Sequence, residues 1–175
     1  MHLEIIKMGK WEKITWMSKF MEKETATILM CTFNAEKYIE EQIQSLLAQT
    51  YDSIEIIIYD DSSRDKTVDI IEKIKRDNVT TKTIELHIND VPSGGANQNF
   101  KKIISDHVDR HYVFLCDQDD IWDKYKVELM MNRMLKLEEK EDKPYLLGHS
   151  SMICNSEGEV YDHKVLHDVS FFDTI

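Results

Sequence analysis

Residues 53–67 read SIEIIIYDDSSRDKT. Ile54, Ile56, Ile57, Ile58 and Tyr59 form a short apolar run rich in β-branched residues, the pattern of a strand buried on both faces. Asp60 and Asp61 end that run. Ser62, Ser63 and Asp65 then offer side-chain oxygens able to cap a helix whose Val68, Ile71 and Ile74 recur at helical spacing. A buried strand thus gives way to a polar edge and then to an amphipathic helix.

The same unit recurs on either side. Upstream, ATILMCTF (26–33) has the length of a buried strand, and Asn34 is placed to cap a helical pattern in which Ile39, Ile43, Leu46 and Leu47 share a face. Downstream, KTIELHI (82–88) predicts a third strand, PSGGANQNF (92–100) a glycine loop opening a helix to about His107, and HYVFLC (111–116) a fourth strand. DKYKVELMMNRMLKL (123–137) predicts a long helix with Val127, Met130, Met131, Met134 and Leu137 on one stripe, read as core packing. PYLLGHSSMIC (144–154) reads as a fifth strand and NSEGEVYD (155–162) as a turn into another. Strands alternating with helices predict an α/β fold, a mostly parallel, doubly wound sheet with helices on both faces. In such sheets ligands bind beyond the carboxyl ends of the strands, where CTFNAE, YDDSSRD, NDVPSGG and CDQDD all fall.

Composition narrows the function. The 175 residues include 33 acidic and 22 basic side chains, a formal charge of -11, so there is no basic stripe for a phosphate backbone and nucleic acid is excluded as a partner. Cys31, Cys116 and Cys154 are odd in number and set among apolar neighbours, which fits reduced thiols in the cytoplasm. No Cys-x-x-Cys pair suggests zinc, and no apolar run approaches the roughly 18 residues of a membrane helix. Residues 1–24 stand apart from a domain at 25–175. Ile14, Met17 and Met21 fall at helical spacing beside Trp11 and Trp16, giving either a plain extension or a short helix lying on a membrane surface or a partner.

YVFLCDQDDIWDK (112–124) places three carboxylates at the mouth of a strand. Asp117 and Asp119, at i and i+2, suit a hard divalent cation, Mg2+ or Mn2+, bridging a diphosphate. Capping of the following helix by Asp119 or Asp120 is the equal alternative. Asp60 and Asp61 pose the same choice between accepting a ring N–H of a base and capping a helix. Gly94 and Gly95 allow a positive φ or close backbone approach, whether in a ligand loop or an ordinary turn, with Asn97 and Asn99 beside them. No phosphate-binding glycine fingerprint or nucleophile elbow is present.

Together, ILMCTFNAEKYIEEQIQSLLAQTY, IEIIIYDDSSRDKT, GGANQNF and YVFLCDQDDIWDKYKVE stand in the order and spacing of the family 2 glycosyltransferases, and residues 26–160 resemble that family. The resemblance implies a GT-A nucleotide-sugar-binding fold. It implies that Thr32, Asn34 and Glu36 line a nucleoside pocket, that Asp60 with Asp61 beside it contacts the base, and that the Gly95–Asn99 loop lies near the donor. Asp117, nearer the ribose and metal waters, and Asp119, a direct ligand of Mn2+ or Mg2+, would form the family's DXD pair. The DQDDIW version resembles a rhamnosyltransferase branch, suggesting dTDP-rhamnose as donor, with a UDP-sugar as rival. The acceptor would be a cell-surface polysaccharide or lipid-linked glycan, reached by a cytoplasmic protein at the inner face of the membrane.

Such enzymes invert configuration and need a carboxylate base. Asp162, Asp168 and Asp173 match no motif for it, and HSS at His149–Ser151 stands where the branch tends to have HSD. The expectation is therefore the donor-binding part of a longer enzyme, its acceptor part missing and its base unidentified. Two alternatives remain: a catalytically incomplete nucleotide-binding or interaction module, and a haloacid-dehalogenase-like phosphatase, whose catalytic acidic pair belongs near the start of the chain.

Overall fold

The computed structural model describes residues 24–139, 145–148, 151–154 and 160–164. The helix expected before residue 24, the turn at 155–159, and His149, Asp168 and Asp173 lie outside them. The elements are β1 (Ala26–Thr32), α1 (Ile39–Leu47), β2 (Ile54–Asp60), α2 (Thr67–Asp77), β3 (Thr83–Ile88), α3 (Ala96–Asp106), β4 (Tyr112–Cys116), α4 (Lys126–Glu138), β5 (Ser151–Cys154) and β6 (Val160–Lys164).

The first four strands form one parallel sheet in the order β3-β2-β1-β4. β1 is central, and all seven of its residues are buried. Successive side chains point to opposite faces, so Leu29, Cys31, Ile57 and Tyr59 share one face, where they pack with Ile103 and the half-buried Phe100 of α3. Ile28, Met30, Ile56 and Ile58 are fully buried on the other. Helices α1 and α2 pack against each other and bury Ile39, Ile43, Leu46, Ile71 and Ile74. Burial on both faces is why these strands read as continuous rather than alternating apolar runs. The doubly wound parallel arrangement expected from sequence is present.

The chain divides into two units between Val127 and Glu128, within α4. In the second unit β5 and β6 form an antiparallel pair, a separate two-stranded sheet. Among the described residues of the fifth strand expected over 144–154, Ser151–Cys154 are strand and 145–148 are not. No helix among the described residues is long and apolar enough to cross a membrane.

Candidate functional site

The parallel register sets Thr32 beside Asp60 and Asp60 beside Ile88, so the strands end level and their following loops converge. The chain leaves β1 and β2 by the same left-handed step two residues beyond that register pair: Asn34 has φ 49° and Ser62 φ 62°. Asn34 does not cap α1, which begins at Ile39. Instead its Oδ1 accepts the Arg64 N–H at 2.9 Å, and its own N–H donates to Ser63 Oγ at 2.8 Å. The Ala35 N–H donates to Thr67 Oγ1, the Glu36 N–H to Asp65, and the Lys66 N–H to Glu36 Oε2. These five bonds lace the loop after β1 to the loop after β2. Asp65 also accepts the Thr67 N–H at 3.0 Å just ahead of α2, but it is not the helix cap: Lys66 holds that position, with no side-chain cap bond.

The two adjacent aspartates have separate jobs. Asp60 is fully buried. It accepts bonds from Thr32 Oγ1 at 2.8 Å, the Ser63 N–H at 2.8 Å and Ser63 Oγ at 2.6 Å, which close the turn out of β2. Asp61 instead lines the pocket described below, although little of its surface is exposed. Its Oδ1 accepts the Ser93 N–H at 2.6 Å and Asn89 Nδ2 at 2.9 Å, and its Oδ2 accepts Ser93 Oγ at 2.9 Å. Burial alone would raise its carboxyl, but the bonds from the Ser93 N–H, Asn89 and the Ser93 hydroxyl, with the charge of Lys102, outweigh it and hold Asp61 below the ordinary carboxylate value.

The glycine loop enters α3 through backbone that glycine alone adopts readily, Gly94 at φ 98° and Gly95 at φ 126°, with ψ 169° at Gly95. Asn99 is buried and ties α3 to the sheet, donating to the Tyr59 carbonyl at 2.9 Å and accepting from Asn89 at 3.0 Å.

These strand ends enclose a cavity of about 640 Å3. Thr32, Asn34, Asp61, Gly95, Asn99, Asp117 and Asp119 line it, whereas Asp60, Glu36 and Asp120 do not. The Gln118 side chain accepts the Phe33 N–H at 2.8 Å, tying the acidic loop to the end of β1. Neither Asp119 nor Asp120 caps α4. The carboxylate at that approach is Asp123, which accepts the Tyr125 N–H at 2.9 Å. Partial burial, then the charges of Asp120 and Asp119, raise the Asp117 carboxyl above its ordinary value. Cys31, also on the wall, has its thiol pushed up to about 12 by burial and by Asp117 and Asp61, so it stands neutral and poorly nucleophilic.

Among the described residues no three His, Cys, Asp or Glu side chains could hold a metal by themselves. A repelling carboxylate pair at the wall of an open pocket nonetheless fits a hard cation, since Mg2+ commonly takes one or two carboxylates and completes its shell with phosphate oxygens and water. Sequence reasoning missed Arg64, the one basic side chain on this wall among the described residues, and Asn89 and Ser93, which lie within the NDVPSGG stretch but reach Asp61 only once β2 and β3 pair.

The glycosyl transferase family 2 profile matches residues 27–140. The chain belongs to that family. Within it, the chain is 39% identical over 101 residues to the dTDP-rhamnosyl transferase RfbG of Shigella flexneri, covering 57% of this chain and 34% of that protein. It is 30% identical over 136 residues to WfgD of Escherichia coli, named a UDP-Glc:alpha-D-GlcNAc-diphosphoundecaprenol beta-1,3-glucosyltransferase, covering 78% of this chain and 49% of that one. The chain thus spans about a third to a half of the length of these family members. The family fold is also that of Staphylococcus aureus TarS, solved in complex with UDP, with a TM-score of 0.57 at 24% identity over 64% of this chain and 32% of that one. The Pyrobaculum calidifontis mannosyltransferase PcManGT, solved with GDP-Man and Mn2+, gives a TM-score of 0.51 at 18% identity over 71% and 37% of the two chains.

Proposed function

We propose that the 640 Å3 pocket binds the nucleoside diphosphate of a nucleotide-sugar, and that this chain is the donor-binding part of an inverting glycosyltransferase acting on a surface polysaccharide or lipid-linked acceptor at the cytoplasmic face of the membrane. One observation carries the reading: a single pocket has on its wall both a firmly ionised, hydrogen-bonded carboxylate, Asp61, and a pair of mutually repelling ones, Asp117 and Asp119. The first suits a ring N–H of a base. The second suits a cation shared with a diphosphate.

In this reading Asp60 holds the turn that presents Asp61, while Asn34 and Glu36 fasten the two loops framing the nucleoside. The Gly94–Gly95 backbone brings the start of α3 alongside the donor. Asp117 and Asp119 would hold Mn2+ or Mg2+, which when bound offsets charge on the departing diphosphate, a Lewis-acid contribution of several kcal/mol. The family members named for dTDP-rhamnose and UDP-Glc make a dTDP- or UDP-sugar the donor to test first.

Titration calorimetry with UDP and dTDP, each with and without Mn2+, tests the reading. Binding of at least one nucleotide, strengthened by Mn2+, is expected. No binding, or binding indifferent to metal, would overturn it.

A further inference from the structure

Asn89, just beyond β3, belongs to none of the motifs that carry the family resemblance, yet all its polar groups are engaged. Its backbone N–H donates to the Asp60 carbonyl at 2.9 Å, and its carbonyl accepts Ser62 Oγ at 2.6 Å. Its Nδ2 donates to Asp61 Oδ1 at 2.9 Å and to Asn99 Oδ1 at 3.0 Å, and its Oδ1 accepts the Lys102 ammonium at 2.5 Å. A carboxamide fits its site either way round, and its partners decide which way it sits. An ammonium has donors only, so Lys102 draws the amide oxygen to itself and leaves the NH2 facing Asp61. Reversed, the amide would set an acceptor against a carboxylate.

The count of bonds at Asp61 gives that orientation a consequence. With Ser93 and Asn89 both on Oδ1 and only the Ser93 hydroxyl on Oδ2, one acceptor position of Oδ2 stays open on a side chain that lines the pocket. We infer that Asn89, oriented by Lys102, is a positioning residue for Asp61, and that this pair sets the pocket's preference for bases carrying a ring N–H, of the uracil, thymine or guanine type, over cytosine and adenine. The inference rests on the nucleotide-binding reading of the pocket. Lys102 lies on the outward side of α3 and also sits 5.3 Å from the centre of the Tyr59 ring, so its removal opens no internal cavity.

The test compares UDP, dTDP and GDP with CDP on the full chain, by calorimetry in the presence of Mn2+. The wild type is expected to prefer at least one of the first three over CDP by about tenfold, as one added bond to a charged acceptor warrants. Lys102→Met keeps the aliphatic stem but removes the charged donor that holds the Asn89 amide oxygen, so that preference should fall toward one while CDP affinity holds, and Lys102→Arg should restore it. Asn89→Asp, which sets a second carboxylate against Asp61, should lose the preference as well. Equal weakening of all four nucleotides in Lys102→Met, or an unchanged preference, would overturn the inference and leave the nucleotide site standing. No nucleotide binding by the wild type would overturn both.

Discussion

Thr32→Val tests the frame of the pocket with little change of shape. The Thr32 hydroxyl is 2.8 Å from Asp60 Oδ2, and Thr32 and Asp60 are 2% and 0% exposed, so no water can replace the lost donor without rearrangement. A hydrogen bond to a charged group contributes about 1.5–3 kcal/mol. Asp60 keeps the Ser63 N–H and hydroxyl, and the added methyl recovers up to about 0.8 kcal/mol through apolar burial. The net loss should be about 1–2 kcal/mol, which in a chain of this length lowers Tm by about 2–8 °C. Urea unfolding should move the midpoint at constant slope, and Thr32→Ser should restore it. A double-mutant cycle with Asp60→Asn should give a coupling energy above about 0.5 kcal/mol. Wild-type stability in Thr32→Val, or no coupling to Asp60, would refute the reasoning. Loss of nucleotide affinity at unchanged stability would instead place Thr32 in direct contact with the ligand.

Asp117→Asn and Asp119→Asn should each remove the Mn2+-dependent part of nucleotide binding measured by calorimetry without lowering Tm, because each relieves repulsion within the acidic loop. Gly95→Ala meets no atom within 4 Å but must hold φ 126°, so calorimetric unfolding should reveal a loss of about 1–3 kcal/mol from backbone strain alone. Asp61 titrates lower in the folded state than its ordinary 3.8, so its contribution to stability is present above that value and is lost as pH falls through its folded pKa. Asp61→Asn should flatten the stability–pH curve in that window. Asp117 has the opposite sign: its raised carboxyl makes stability fall as pH climbs from 3.8 through the folded value, so Asp117→Asn should be more stable than wild type at neutral pH by urea titration.

The strand–helix units were legible because parallel strands covered on both faces leave long apolar runs, and because α1 and α2 keep their inward residues at helical spacing. The acidic ends of the strands were legible as a group. What each acid does was not. Asp60 and Asp61 are neighbours in sequence, yet Ser63 binds one and Ser93, thirty positions further on, binds the other, a distinction created only by pairing β2 with β3. Asn34 read as a helix cap because its type suits one, but its oxygen finds a nearer donor in Arg64 across the two loops. Asn89 stands in the polar NDVPSGG strand end, but nothing local marked its role, since its five bonds reach β2, α3 and the loop between β2 and α2.

The central place of β1 also orders the assembly of the site in time. The Thr32–Asp60 bond closes a separation of 28 residues, and the Phe33–Gln118 bond one of 85. By loop-closure entropy the longer closure costs about 1 kcal/mol more if made unaided, and folding slows as such distant pairings come to dominate. The walls supplied by the ends of β1, β2 and β3 can therefore form while β4 is still unpaired, and the acidic pair arrives last. A nascent chain halted before β4 would carry Asp61 without Asp117 and Asp119, so docking of β4 is the step that brings the two groups of carboxylates onto one pocket wall.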